Sequence, residues 1–181
     1  MPCCTSIFYL LCLVLLTWFM RLTIMLIYGL LITAGLAAGA PVQQKFEKAE
    51  FYSIMKSGDL TAVENEMAAL DNAPAKEKDG YTGALLMKKA GLLKKPKDRL
   101  KFFKEGRIKL ETALVADNEN TEFHFLRLAI EEHAPKIVKY HADIDRDKAL
   151  VIKNFKNLSQ AVQHAILDYC SNSKVLHRED F

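Results

Sequence analysis

The chain has 181 residues, of which 50% are hydrophobic and 26% charged, with four cysteines and a formal net charge of +3. Those averages exclude a disordered chain, a disulfide scaffold and a multi-span transporter. They also conceal a partition, because the first 40 residues hold 30 hydrophobic side chains and one charge, Arg21. On that reading a wholly cytosolic globular protein is excluded as well.

From residue 7 to 38 the chain is apolar except for Thr17, Arg21, Thr23, Thr33 and glycines, longer than the roughly 20 residues that span a bilayer. Counted from Met20, it has the order of a secretory signal. Met20-Arg21 is the positive start, residues 22–36 the apolar core, and Ala38-Gly39-Ala40 a small-residue cleavage site before Pro41. Counted from Met1, the charge falls in mid-stretch and the segment reads as an uncleaved anchor that must tilt or project. Residues 1–40 are therefore expected to be a signal peptide, with an anchor as the alternative. Residues 41–181 would be exported: periplasmic or extracellular if cleaved, membrane-anchored if not.

Residues 41–181 read as a single all-α domain, a helical-hairpin array or irregular bundle of six to seven helices. Phe46, Phe51, Ile54 and Met55 suit a helix that stops at Ser57-Gly58. Leu60, Val63, Met67 and Leu70 form one stripe of a helix over about 59–71, capped by Asp59. A third helix, with Leu85, Leu86, Ala90 and Leu93, is expected after Asp79-Gly80. Pro96 then starts a helix over about 97–116 with Leu100, Phe103, Leu110 and Leu114 on one face. Residues 123–132 are apolar almost all round, which predicts a central helix ended by Pro135. Residues 147–155 extend more naturally as helix than as strand, and 158–170 carry the cleanest apolar face. The strict 34-residue tetratricopeptide pattern is not met. Ala113–Asp117 looks like that family's helix ending, but Lys94, Pro96 and Lys97 spoil the helix before it, and Arg127, Tyr140 and Asp147 the repeat after it.

Phe123-His124-Phe125-Leu126-Arg127-Leu128, followed by Ile130, Glu132, Pro135-Lys136 and Tyr140, resembles a group of small exported bacterial helical proteins of uncharacterised function. The resemblance spans about residues 97–170. It implies export and an all-α fold, and no catalytic assignment.

Charge is the strongest signal in the mature part. Lys88, Lys89, Lys94, Lys95, Lys97, Arg99, Lys101, Lys104, Arg107 and Lys109 are opposed only by Asp98 and Glu105, a local excess of +8 between segments of −3 each. Such segregation makes a positive field that attracts anionic surfaces, and Phe102-Phe103 within it could insert among headgroups. The blander reading is a solvated helix face. Arg107 and Arg127 fall on apolar helix faces and so imply buried ion pairs, with Glu111 a candidate partner of Arg107. His124, His133 and His141 lack metal-ligand spacing. Asp143, Asp145 and Asp147 lack the glycine and glutamate of a calcium loop, and read as helix-start residues. Glu64, Glu66, Glu131 and Glu132 could do acid–base work in principle, yet no catalytic motif surrounds them, and Cys170 has none either. The expectation is a non-catalytic module without metal or cofactor. Its partner would be another protein or, alternatively, an anionic envelope surface met through residues 88–109. Nucleic acid is not expected, and membrane contact only through the first segment or the basic patch.

Overall fold

The computed structural model describes Met20, Arg21 and residues 46–181. The chain divides into two compact units, Met1–Val42 and Gln43–Phe181. In the first only Met20 and Arg21 are described, both helical. The expected export segment, with Ala38 and Ala40 at its cleavage site, lies outside the described residues. No helix among the described residues is long and apolar enough to cross a membrane.

The second unit is all-helical, with no strand among the described residues. Its seven α-helices are α1 (Lys48–Lys56), α2 (Leu60–Ala69), α3 (Ala75–Leu92), α4 (Pro96–Ala116), α5 (Thr121–His133), α6 (Ile144–Asn154) and α7 (Gln160–Tyr169). Local chemistry sets most of their ends. The Asp59 carboxylate accepts from the Thr61 N–H at 2.8 Å, and the Asn120 side chain from the Phe123 N–H at 3.1 Å, each supplying a partner to a helix-start donor. Pro96 opens α4, where its missing N–H costs nothing.

The start of α3 differs from the sequence expectation. Asp79-Gly80 is not a break; the helix begins at Ala75 and runs through it. Gly80 is there for space, since a Cβ at this position would stand 2.4 Å from the Phe123 ring. One turn on, Gly83 meets Gly106 of α4. A Cβ on Gly83 would lie 2.7 Å from the Gly106 carbonyl oxygen, and one on Gly106 would lie 2.6 Å from that of Gly83. This contact brings the two longest helices among the described residues together backbone to backbone. It turns Phe103, Gly106, Leu110 and Ala113 toward α3 and leaves Leu100 47% exposed. The expected placing of Leu100 in the buried stripe is therefore incorrect.

Helix α5 separates two apolar cores. Phe123 and Leu126 join Phe51, Val63, Tyr81, Leu85 and Leu110 in the larger one. Phe125 and Leu128 join Val151, Val162, Ile166 and Leu176 in the smaller. A helix packed on both sides needs apolar residues on opposite faces, which is why 121–128 are buried without a break.

Candidate functional site

Five helices (α1, α3, α4, α5 and α7) and the segment after Pro135 enclose an apolar groove of about 1270 Å³. Its space comes from small side chains. Ala49, Ala90, Ala129, Ala161 and Ala165 line it from α1, α3, α5 and α7, so these four helices each face part of the groove with a small side chain. Larger apolar groups close the remaining walls, among them Met55, Met87, Phe103, Phe125 and Ile130. Leu100 and Ile137 stand at the edge, 47% and 88% exposed.

Several polar groups of the lining are engaged within the protein. Tyr52 donates its hydroxyl to Glu122 at 2.9 Å, and Tyr169 donates to Glu132. Lys56 pairs with Asp168 at 3.4 Å. Two cations are left over: no acidic side chain among the described residues pairs with Lys88 or Arg99, both of which line the groove. Burial pushes the half-buried Lys88 ammonium below its ordinary pKa, since a charge short of water and of a counter-ion favours its neutral form.

The structure places the expected basic residues in different surroundings. Lys94, Lys95, Lys97, Arg99, Lys101 and Lys104 are exposed along the start of α4 and the turn before it. Lys89 pairs with Glu64 at 2.8 Å and Lys109 with Asp79 at 2.8 Å, so both answer acids of the same fold. The Phe102-Phe103 pair does not project. Phe103 is buried, and Phe102 is half-buried with the Lys89 ammonium 4.7 Å from its ring centre.

The two arginines diverge. Arg107 is exposed, against expectation; its guanidinium lies over the Tyr140 ring at 4.8 Å, as an exposed cation does on an aromatic face. The glycine contact explains the error, because Gly106 rather than Arg107 takes the inward position. Arg127 is buried. It donates to Asp147 twice at 2.7 Å and to Glu111 at 3.0 Å, with Asp143 at 3.5 Å. Glu111 is thus a partner of Arg127, and its other oxygen accepts from Tyr140 at 2.6 Å.

Asp147 is fully buried, and its Oδ1, which accepts from Arg127 Nη2, also lies 2.6 Å from His124 Nδ1. It is more than the helix-start residue its spacing suggested. Burial pushes its carboxyl up, but the hydrogen bonds and charges of Arg127 and His124 outweigh that and hold it below the ordinary range. Beside it, burial raises Glu131 to about 7, against the single backbone N–H of Asp143 that it accepts; its Oε1 has no partner. A second cluster sits at the start of α5. Glu122 accepts from Tyr52, from Tyr81 at 3.0 Å and from Lys48 at 2.6 Å. Among the described residues no group of His, Cys, Asp or Glu is placed to hold a metal ion. His164 is exposed on α7, and Cys170 is buried.

Sequence reasoning missed the groove altogether. Its one legible trace is the recurrence of alanine on inward faces, which reads equally well as tight packing. The chain matches no protein-family model, no curated protein and no solved structure. What it does must therefore be argued from the groove and the charges around it.

Proposed function

We propose that residues 46–181 form a non-catalytic binding module that acts by taking an apolar ligand into the groove. The observation that carries this is the groove itself: about 1270 Å³ walled largely by apolar side chains, above the roughly 300–1,000 Å³ of ordinary small-molecule pockets. Leu100 and Ile137 at its edge give an incoming apolar surface its first contact. The buried polar clusters support a non-catalytic reading. Arg127 and Asp147 pair with each other, and Glu122 accepts from Tyr52, Tyr81 and Lys48, so these groups are engaged within the fold. The apolar first forty residues and the resemblance of residues 97–170 to exported helical proteins favour a place of action outside the cytoplasm.

A second reading, attachment to an anionic surface, is favoured by the exposed Lys94, Lys95, Lys97, Arg99, Lys101 and Lys104. The two are separated by placing a photoreactive benzophenone side chain at Ile137, on the groove edge, or at Val115, which is 84% exposed and outside the groove lining. Irradiation of cells making the full chain should give a covalent adduct from position 137 and none from 115. No adduct at 137 would end the groove reading. Release of the chain from anionic vesicles by salt, with the adduct at 137 preserved, would show attachment and groove binding to be separate activities.

A further inference from the structure

We propose that the groove's occupant is one anionic membrane phospholipid, its acyl chains between the alanine-lined faces and its headgroup at Lys88 and Arg99. The inference rests on the groove being a binding site and identifies the chemistry that fills it.

Three observations converge on this occupant. The first is that the walls are predominantly hydrocarbon, with Ser53, His133, His164 and Asn172 the polar groups beside the two tyrosines and the charged side chains. The hydroxyls of Tyr52 and Tyr169 are already donated to Glu122 and Glu132, so a ligand entering past them finds apolar contact and few free polar partners. A helix of a partner protein could fill such a space, but the polar side chains it carries would find few partners inside, at a cost for each one buried. Acyl chains incur no such cost. The second is volume: at about 1270 Å³ the groove exceeds what a drug-sized ligand needs and has room for more than one chain.

The third is charge. Of the cations that line the groove, Lys56 is answered by Asp168, whereas Lys88 and Arg99 have no acidic partner among the described residues. Lys88 is moreover half-buried, a position in which an unanswered ammonium is costly and gains from any anion placed beside it. An apolar tail with a negative head satisfies both features at once, and a zwitterionic head does so less well. The exposed Lys95 and Lys97 flank Pro96, itself part of the lining, and extend the positive field outward. With Leu100 and Ile137 exposed beside them, this edge is suited to touch a bilayer and draw a lipid from it.

The test reads the mass of the adduct formed by benzophenone at Ile137 in cells making the full chain. The expected adduct is a phospholipid of anionic headgroup class. It should fall about thirtyfold in the double variant Lys88→Gln, Arg99→Gln, as loss of two headgroup cations requires. It should vanish when Ala129→Trp on α5 or, separately, Ala165→Trp on α7 fills the groove, each variant first shown to melt cooperatively by circular dichroism. A peptide adduct, or phospholipid adducts matching the bilayer's zwitterionic composition, would overturn the lipid assignment while leaving the groove a binding site. An adduct unchanged by both tryptophan variants would overturn it as well. No adduct at 137 would instead overturn the binding reading on which it rests.

Discussion

Arg127 and Asp147 form a buried fork, Nε to Oδ2 and Nη2 to Oδ1 both at 2.7 Å, joining α5 to α6 at side chains exposed by 6% and 0%. A bidentate guanidinium–carboxylate pair fixes distance and orientation together. The smaller core, built from Phe125, Leu128 and Val151 among others, is thereby set in register with α5. The fork is costly to break from one side, because the partner left behind is a desolvated charge.

Asp147→Asn should therefore destabilise the fold by about 3–5 kcal/mol, the usual cost of removing one member of a buried pair. Replacing both members with apolar residues, as in Arg127→Met with Asp147→Leu, should cost less than the single change, because neither member of the fork is left as a buried charge, and the other acids beside Arg127, Glu111 and Asp143, are each 33% exposed. Urea unfolding of the three proteins checks this. A single variant milder than the double would contradict it.

The glycines of α3 and α4 separate into two kinds. Gly83→Ala and Gly106→Ala each push a methyl into backbone at 2.6 Å and should destabilise by about 1–3 kcal/mol or more through overpacking. Gly91 has nothing within 4 Å of its missing Cβ and lies in the last turn of α3. Gly91→Ala should stabilise by about 0.4–1 kcal/mol. Opposite signs in thermal melts are the expected result.

Stability should depend on pH in two directions. Burial raises Glu131 from 4.5 to about 7, so the folded chain holds a proton there that the unfolded chain releases. Its contribution is complete below about 4.5 and is lost as pH rises through about 7, with a slope on the order of 1 kcal/mol per pH unit. Asp147 and Glu132 are held low, Glu132 because hydroxyls of Tyr169 and Ser173 and the Lys174 N–H outweigh its burial. Their contributions are present at neutral pH and disappear in acid. Glu131→Gln should flatten the neutral limb only. An unchanged limb between pH 5 and 7 in that variant would refute the assignment.

Cys170 is buried, and burial raises its thiol pKa. With Cys3, Cys4 and Cys12 changed to Ser, the remaining thiol should react with iodoacetamide roughly a hundredfold slower than a free cysteine, and at full rate in urea. Fast labelling of the native chain would show that the smaller core opens readily.

The helices were legible because each declares itself within a few residues. Asp59 caps, Pro96 starts, Pro135 stops, and the apolar patterns of α2, α5 and α7 need no partner to be seen. The unbroken apolar run of α5 even announced that it is packed on two sides. Arg107 and Leu100 were misplaced because a stripe read at ideal helical spacing assumes that the largest side chains face inward. The Gly83–Gly106 approach reverses that assumption, since the closest contact is made by residues with no side chain. Asp79-Gly80 misled for the same reason: its glycine answers the Phe123 ring, which lies more than forty residues away in the chain.

The charges show the division most clearly. An excess of +8 over residues 88–109 within a chain of net +3 was set by the order of residues alone. Which of those cations are answered was decided only by the fold. Lys89 and Lys109 find Glu64 and Asp79 on neighbouring helices, while Lys88 and Arg99 are left facing an apolar groove. Local sequence determines where a helix can run and what its surface carries, since capping and periodicity act over single turns. A counter-ion or an empty space is a meeting of residues far apart in the chain, and only packing brings them together.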